Sequence, residues 1–167
     1  MVLIIRKFLA FLSACGIAAS IHAYVDSFSG ATMDNSLRWV IILGISAFML
    51  HIPIYALEYP ASKDRSFFWT GFARGMPSWV VPCIKLLWLI AVAHLVWFLV
   101  QSEAAGPAIK DGQYVLSNHG RIVKVLTQRE YLMLKEAELR VFSTITISVY
   151  SLPMMYWWFP RSHQRAD

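Results

Sequence analysis

Apolar positions in this chain come in blocks rather than in a repeating pattern. Four stretches, about 8–25, 39–57, 79–100 and 141–159, contain a single charged side chain between them, Lys85. A bilayer crossing needs roughly 20 mostly apolar residues, so each block predicts a transmembrane helix. Between the third and fourth blocks the pattern becomes strand-like. Gln113-Tyr114-Val115-Leu116-Ser117 and Arg121-Ile122-Val123-Lys124-Val125-Leu126 flank Asn118-His119-Gly120, and β-branched and aromatic runs around such a turn predict a β-hairpin. Gly106-Pro107 and Asp111-Gly112 punctuate the approach to it. Thr127-Gln128-Arg129-Glu130 then has the spacing of a capping box, with Leu126 and Tyr131 placed as a hydrophobic staple. A helix is expected from Gln128, running unbroken into the fourth block, with Glu136 and Arg140 in the favourable i,i+4 order. The expected fold is an all-α membrane protein. It is a single domain over 1–167, a four-helix transmembrane bundle with a small extracytoplasmic β-hairpin and helix at 106–140 before the last span.

Composition agrees. Hydrophobic residues make up 57% of the 167 and charged residues only 15%, with a mean hydropathy of +0.52. A soluble chain of this kind would show large apolar patches to water, which soluble monomers avoid, so a soluble enzyme is excluded. The first block, behind Arg6-Lys7, also reads as a signal peptide; its apolar run continues to Val25 without a clean A-x-A step, and this favours a retained span. Orientation follows Lys and Arg near helix ends. Arg6, Lys7, Lys63, Arg65, Arg74, Arg161 and Arg165 fall on one side. Arg38 and the six basic residues of the long third loop, spread out and offset by acidic neighbours, fall on the other. Both termini are expected to be cytoplasmic.

Within the spans, Ala10/Ala14, Cys15/Ala19 and Gly16/Ser20 are small pairs at four-residue spacing, suited to close helix contact. Trp39 and Trp97 are expected at the outer interface, and Trp79, Trp157 and Trp158 at the inner one, as an aromatic belt. Pro53 and Pro153 predict mild kinks. The intramembrane polar residues are His51 and Lys85, each about 9 Å from the inner end of its span, with Lys85 also able to snorkel. His22 and His94 share a layer near the outer end. With His119 from the hairpin turn they form the candidate metal or haem ligand set, although no helix supplies a second ligand at i+3 or i+4. No carboxylate lies inside a span, which disfavours a proton-coupled exchanger. P-loop, dinucleotide-binding, HExxH and GxSxG patterns are missing. Ser117 and His119 are too close to suggest a triad, and Cys15 and Cys83 lie at different depths, against a disulfide.

Ala73-Arg74-Gly75-Met76-Pro77-Ser78-Trp79, then Asp111-Gly112-Gln113-Tyr114-Val115-Leu116, His119-Gly120-Arg121, and Leu126-Thr127 up to Glu130-Tyr131 form a pattern that resembles a family of small four-span bacterial inner-membrane proteins without a characterised activity. The resemblance covers mainly 73–131. It implies a multi-pass protein of the bacterial cytoplasmic membrane and supplies no catalytic residues.

The expected function is non-enzymatic: an integral membrane protein acting through protein partners, as an accessory, assembly or protective subunit. Its expected contacts are Tyr114, Leu116, His119, Ile122 and Val123, together with the small-residue face of the first helix. No cofactor is expected on this reading. The alternative is a haem- or metal-binding redox protein using the histidines, and a third is an oligomeric pore or transporter lined by Ser143, Thr144, Thr146 and Ser148. The expected partners are the lipid bilayer and either a membrane protein or a second copy of the chain. The scatter of basic residues argues against nucleic acid.

Overall fold

A computed structural model describes residues 2–28, 33–58 and 76–159. The elements are α1 (Val2–Asp26), α2 (Met33–Glu58), α3 (Val80–Gln101), β1 (Gly106–Lys110), β2 (Gln113–Asn118), β3 (Arg121–Val125) and α4 (Gln128–Trp158). Three of the four helices, α1, α2 and α3, are long and apolar enough to cross a membrane. Lys63, Arg65 and Arg74, Arg161, Arg165 and His163, and the Ala73-Arg74-Gly75 part of the resemblance lie outside the described residues.

α4 is the shaft of the molecule. Each of the other helices packs along it, and α1 also packs on α2. Its 31 residues give it a length of about 46 Å. Three apolar layers are stacked along it. At the sheet end Ala23, Val40 and Leu139 meet. In the middle Ala47, Val149 and Tyr150 pack with Ile17, Leu43 and Leu50. At the opposite end Ala10, Ile54, Val80, Ile84, Tyr156 and Trp157 close the bundle. Consecutive helices therefore run in opposite directions. Trp157, expected in the aromatic belt, is a core residue at 6% exposure, whereas Trp39, Trp79, Trp97 and Trp158 face outward.

The polarity of the bundle is inverted relative to a water-soluble one. In the apolar windows of α1, α2 and α3 only 28%, 17% and 11% of residues are buried, so many of their large apolar side chains, such as Phe11, Phe48, Leu89 and Trp97, point away from the protein. The least apolar helix sits in the centre. Ser143, Thr144, Thr146, Ser148 and Ser151 of α4 are all buried. Thr144 Oγ1 donates to Arg140 O at 2.8 Å, Thr146 Oγ1 to Phe142 O at 2.8 Å, Ser148 Oγ to Thr144 O at 2.8 Å and Ser151 Oγ to Ser148 O at 2.7 Å. Hydroxyls that bond back to their own helix need no water and no second chain.

Close packing on the shaft comes from α1. Ala10, Ser13, Gly16, Ser20, Ala23 and Ser27 are all buried and recur every three or four residues, which puts them on one helix face. Gly16 is the tightest point, since a Cβ there would lie 2.3 Å from the Tyr150 ring. The same tyrosine hydroxyl meets Ser46 Oγ at 2.6 Å, so Tyr150 links α1, α2 and α4. Of the small pairs, Gly16/Ser20 lies on this face. Ala10 is joined there by Ser13 rather than by the half-buried Ala14, and Cys15/Ala19 face outward. The small-residue face is occupied by α4 and is closed to an external partner.

The predicted hairpin is real, but it belongs to a three-stranded antiparallel sheet of order β1-β2-β3. Lys110 pairs with Gln113 across Asp111-Gly112, and Asn118 pairs with Arg121 across His119-Gly120. Both central residues have positive φ in each loop, 50° and 76° in the first and 45° and 87° in the second. That is the two-residue turn whose twist suits adjoining strands. Asp111-Gly112 is thus a hairpin turn rather than loop punctuation, and Pro107 is tolerated because β1 is an edge strand. Ala105, Leu116, Leu126, Tyr131 and Leu134 form the small core that seats the sheet on the first turns of α4, with Tyr114 stacked on Tyr131 at 4.8 Å between centroids. Support from a third strand and a helix answers the marginal stability of an isolated hairpin.

Candidate functional site

The polar and aromatic side chains concentrate where the sheet meets the bundle. α4 begins there with the expected cap. Glu130 N–H donates to Thr127 Oγ1 at 3.2 Å, and Thr127 N–H and Oγ1 donate to Glu130 Oε2 at 2.7 and 2.9 Å. Lys124 Nζ approaches Glu130 Oε1 at 3.3 Å. The Thr127 amide, then its hydroxyl, then Lys124 hold the Glu130 carboxyl below its usual range, because each bonds the ionised form.

About three turns further along, Arg140 ties α4 to the end of α1. Its Nη2 lies 3.1 Å from Glu136 Oε2, its Nε donates to Ser27 Oγ at 3.3 Å, and its guanidinium stands 4.8 Å from the Phe28 ring centroid. Tyr24 meets Phe28 edge-on at 5.4 Å and His94 at 5.8 Å, so the cluster continues onto α3. Neither Arg140 nor Phe28 was singled out in sequence as part of a site; the Glu136/Arg140 spacing showed only an ion pair within one helix.

A cleft of about 270 Å³ opens between the end of α3, the sheet and α4. Trp97, Leu116, Leu126, Met133 and Leu134 form its apolar walls, and its polar rim carries the two ion pairs with Gln101 and Glu103. Glu103 follows the end of α3 in the left-handed region at φ 50°.

The sequence-derived site residues separate into unconnected positions. His22 is on the outward face of α1 and contacts Asp26 at 3.0 Å. His94 is half-buried, and its Nδ1 has no hydrogen-bond partner among the described residues. His119 is at the exposed tip of the second hairpin. Among the described residues no group of three His, Cys, Asp or Glu side chains is placed to hold a metal ion. Of the intramembrane polar residues, His51 Nδ1 lies 2.9 Å from Ala47 O beside Phe48, and Lys85 is exposed on α3. Of the expected partner contacts, Leu116 is 2% exposed and belongs to the sheet core, and Tyr114 is half-buried against Tyr131. Ile122 and Val123 are on the surface, as is every residue of β3. β1 and β2 lean on α4, and β3 reaches it through the Lys124–Glu130 pair. Val123 is the extra residue of a bulge, since Leu116 pairs with Lys124 and Ser117 with Ile122.

Compared with protein-family models, curated proteins and solved structures, the chain matches none.

Proposed function

We propose that this is a non-enzymatic, four-span protein of the bacterial cytoplasmic membrane, with both termini cytoplasmic, that acts by holding a partner protein at the sheet end. The observation that carries the reading is β3. It is an edge strand with all five residues exposed, and Ile122, Val123 and Val125 keep 51%, 50% and 59% of their surface open. A row of apolar side chains beside free backbone groups is what strand addition uses. Basic Arg121 and Lys124 in the same strand favour a partner segment that carries acidic residues.

The four-span part is supported by two bonds that pin α4 at separate heights. Arg6 Nη2 donates to Phe159 O at 2.7 Å at one end, and Arg140 holds Ser27 at the other. The nineteen residue steps from Arg140 to Phe159 span about 28 Å, close to the hydrocarbon thickness of roughly 30 Å. The first turns of α4, with the sheet, then stand outside the layer.

A photo-crosslinking amino acid placed at Val123 in native membranes tests the docking strand. A single discrete adduct is expected, and it should vanish with Ile122→Asp while the protein level is unchanged. An adduct pattern unaffected by Ile122→Asp would refute docking at β3.

A further inference from the structure

We propose that the cleft beside the sheet binds the ammonium head of an amphiphile, with Glu103 as counter-ion and Trp97 as aromatic wall. The charges on the rim lead there. Lys124 is matched by Glu130 at 3.3 Å and Arg140 by Glu136 at 3.1 Å, which leaves Glu103 as a third carboxylate with no cation on it among the described residues. Among the described residues the cleft lining thus carries three carboxylates against two cations.

Its position adds to that charge. Ser102 N–H and Ala104 N–H donate to Phe98 O and Leu99 O at 2.9 and 3.1 Å, so Glu103 rides on the C-terminal turn of α3. The helix dipole places partial negative charge at that end, where a carboxylate is unfavourable and a cation is favoured. Glu103 and Ala104 both hold positive φ, 50° and 56°, at a helix end where glycine is usual.

The rest of the lining selects the kind of cation. Trp97 contributes an indole ring, a group that attracts substituted ammonium ions, and Met133 and Leu134 contribute apolar surface. A fully hydrated metal ion gains nothing from such walls. The volume of about 270 Å³ suits a head group rather than a whole lipid, and the apolar flank of α3 beneath it, with Val96 and Val100 exposed, offers a path for a hydrocarbon tail. The site shares Lys124 with β3 but none of its exposed apolar row, Ile122, Val123 and Val125, so Ile122→Asp tests docking and Glu103→Gln tests the cleft.

The test is isothermal titration of hexyltrimethylammonium into the full chain in nanodiscs of phosphatidylglycerol, which has no ammonium, with empty discs as blank. Saturable one-site binding is expected. Glu103→Gln should weaken it by about tenfold, as loss of a directly opposed charge does. Trp97→Leu should weaken it several-fold. Lys124→Gln, which removes a competing cation, should tighten it, an outcome that misfolding cannot produce. Both Glu103 and Lys124 are exposed, so these two changes leave the core untouched. Titration heats equal to those of empty discs, or wild-type affinity in Glu103→Gln, would overturn the proposal. Discs containing phosphatidylethanolamine separate the sources of the ligand: competition assigns the site to a lipid head group, and its absence assigns it to a diffusible amphiphile.

Discussion

Tyr150 shows how much of the packing rests on one side chain. Its ring lies where a Cβ on Gly16 would be, and its hydroxyl reaches Ser46 on α2. Gly16→Ala must displace the ring or the helix, and overpacking of this kind costs about 1–3 kcal/mol. Tyr150→Phe keeps the ring and gives up the interhelical bond, worth about 1 kcal/mol within an apolar bundle. Unfolding of the two variants in mixed detergent should rank Gly16→Ala as the more damaging. The sequence alone exposed Gly16 and Ser20 as a close-contact pair, but it offered Cys15/Ala19 equally, because small residues mark a tight face only once the neighbouring helix is known. The histidines show a related point. Equal depth in two helices says nothing about azimuth, and His22 and His94 are directed to different neighbours, Asp26 and Tyr24.

Among the elements, the start of α4 was the most legible, since a capping box and staple are local and need no tertiary partner. Its chemistry gives a pH dependence. The folded carboxyl of Glu130 titrates below its ordinary value of 4.5, so its contribution is complete above the unfolded value and is lost as the pH falls through the lower folded one. Amide exchange in the first turn of α4 should accelerate as pH drops below that range, after correction for intrinsic rates. Thr127→Ala should accelerate it about fivefold at neutral pH, the usual effect of losing a cap. β1 was missed although Asp111-Gly112 is a strong hairpin signal, because its five residues, Gly106 to Lys110, include a proline and lack a run of β-branched residues. Gly120 has φ 87°, so Gly120→Val should unravel the second hairpin, while Gly106→Ala, whose nearest neighbour is 3.9 Å away, should leave the sheet intact. Strand signals in the circular dichroism difference between the two variants would check this.

For the whole molecule, four apolar blocks were read as spans, and three of the described helices, α1, α2 and α3, are long and apolar enough to cross a membrane; nothing in the blocks hinted that α4 would be the axis of the bundle. Periodicity reports which face of a helix is apolar, not which helix the others surround. The hydroxyl run of α4 was the only sequence support for a pore lining; in the fold it is buried, with Thr144, Thr146, Ser148 and Ser151 bonded back along their own helix and Ser143 Oγ without a hydrogen-bond partner among the described residues. On the four-span reading, an introduced cysteine at Asn118 should react with an impermeant maleimide from the periplasm, and one at Ser78 only after the cytoplasmic side is opened. Labelling of both positions from the same side would contradict it.

On the four-span reading, the central place of α4 also bears on how the protein is made. A helix carrying five buried hydroxyl side chains over residues 143–151 partitions into lipid less readily than its neighbours. It is also the last of the four to leave the ribosome. α1, α2 and α3 can each enter the bilayer on their own apolarity, and together they offer the slot that shields the shaft. Chain order and ease of insertion thus agree, so that the segment most dependent on company emerges after its company has arrived. Moving α4 to the front of a permuted chain should impair biogenesis even though every contact in the finished bundle is preserved.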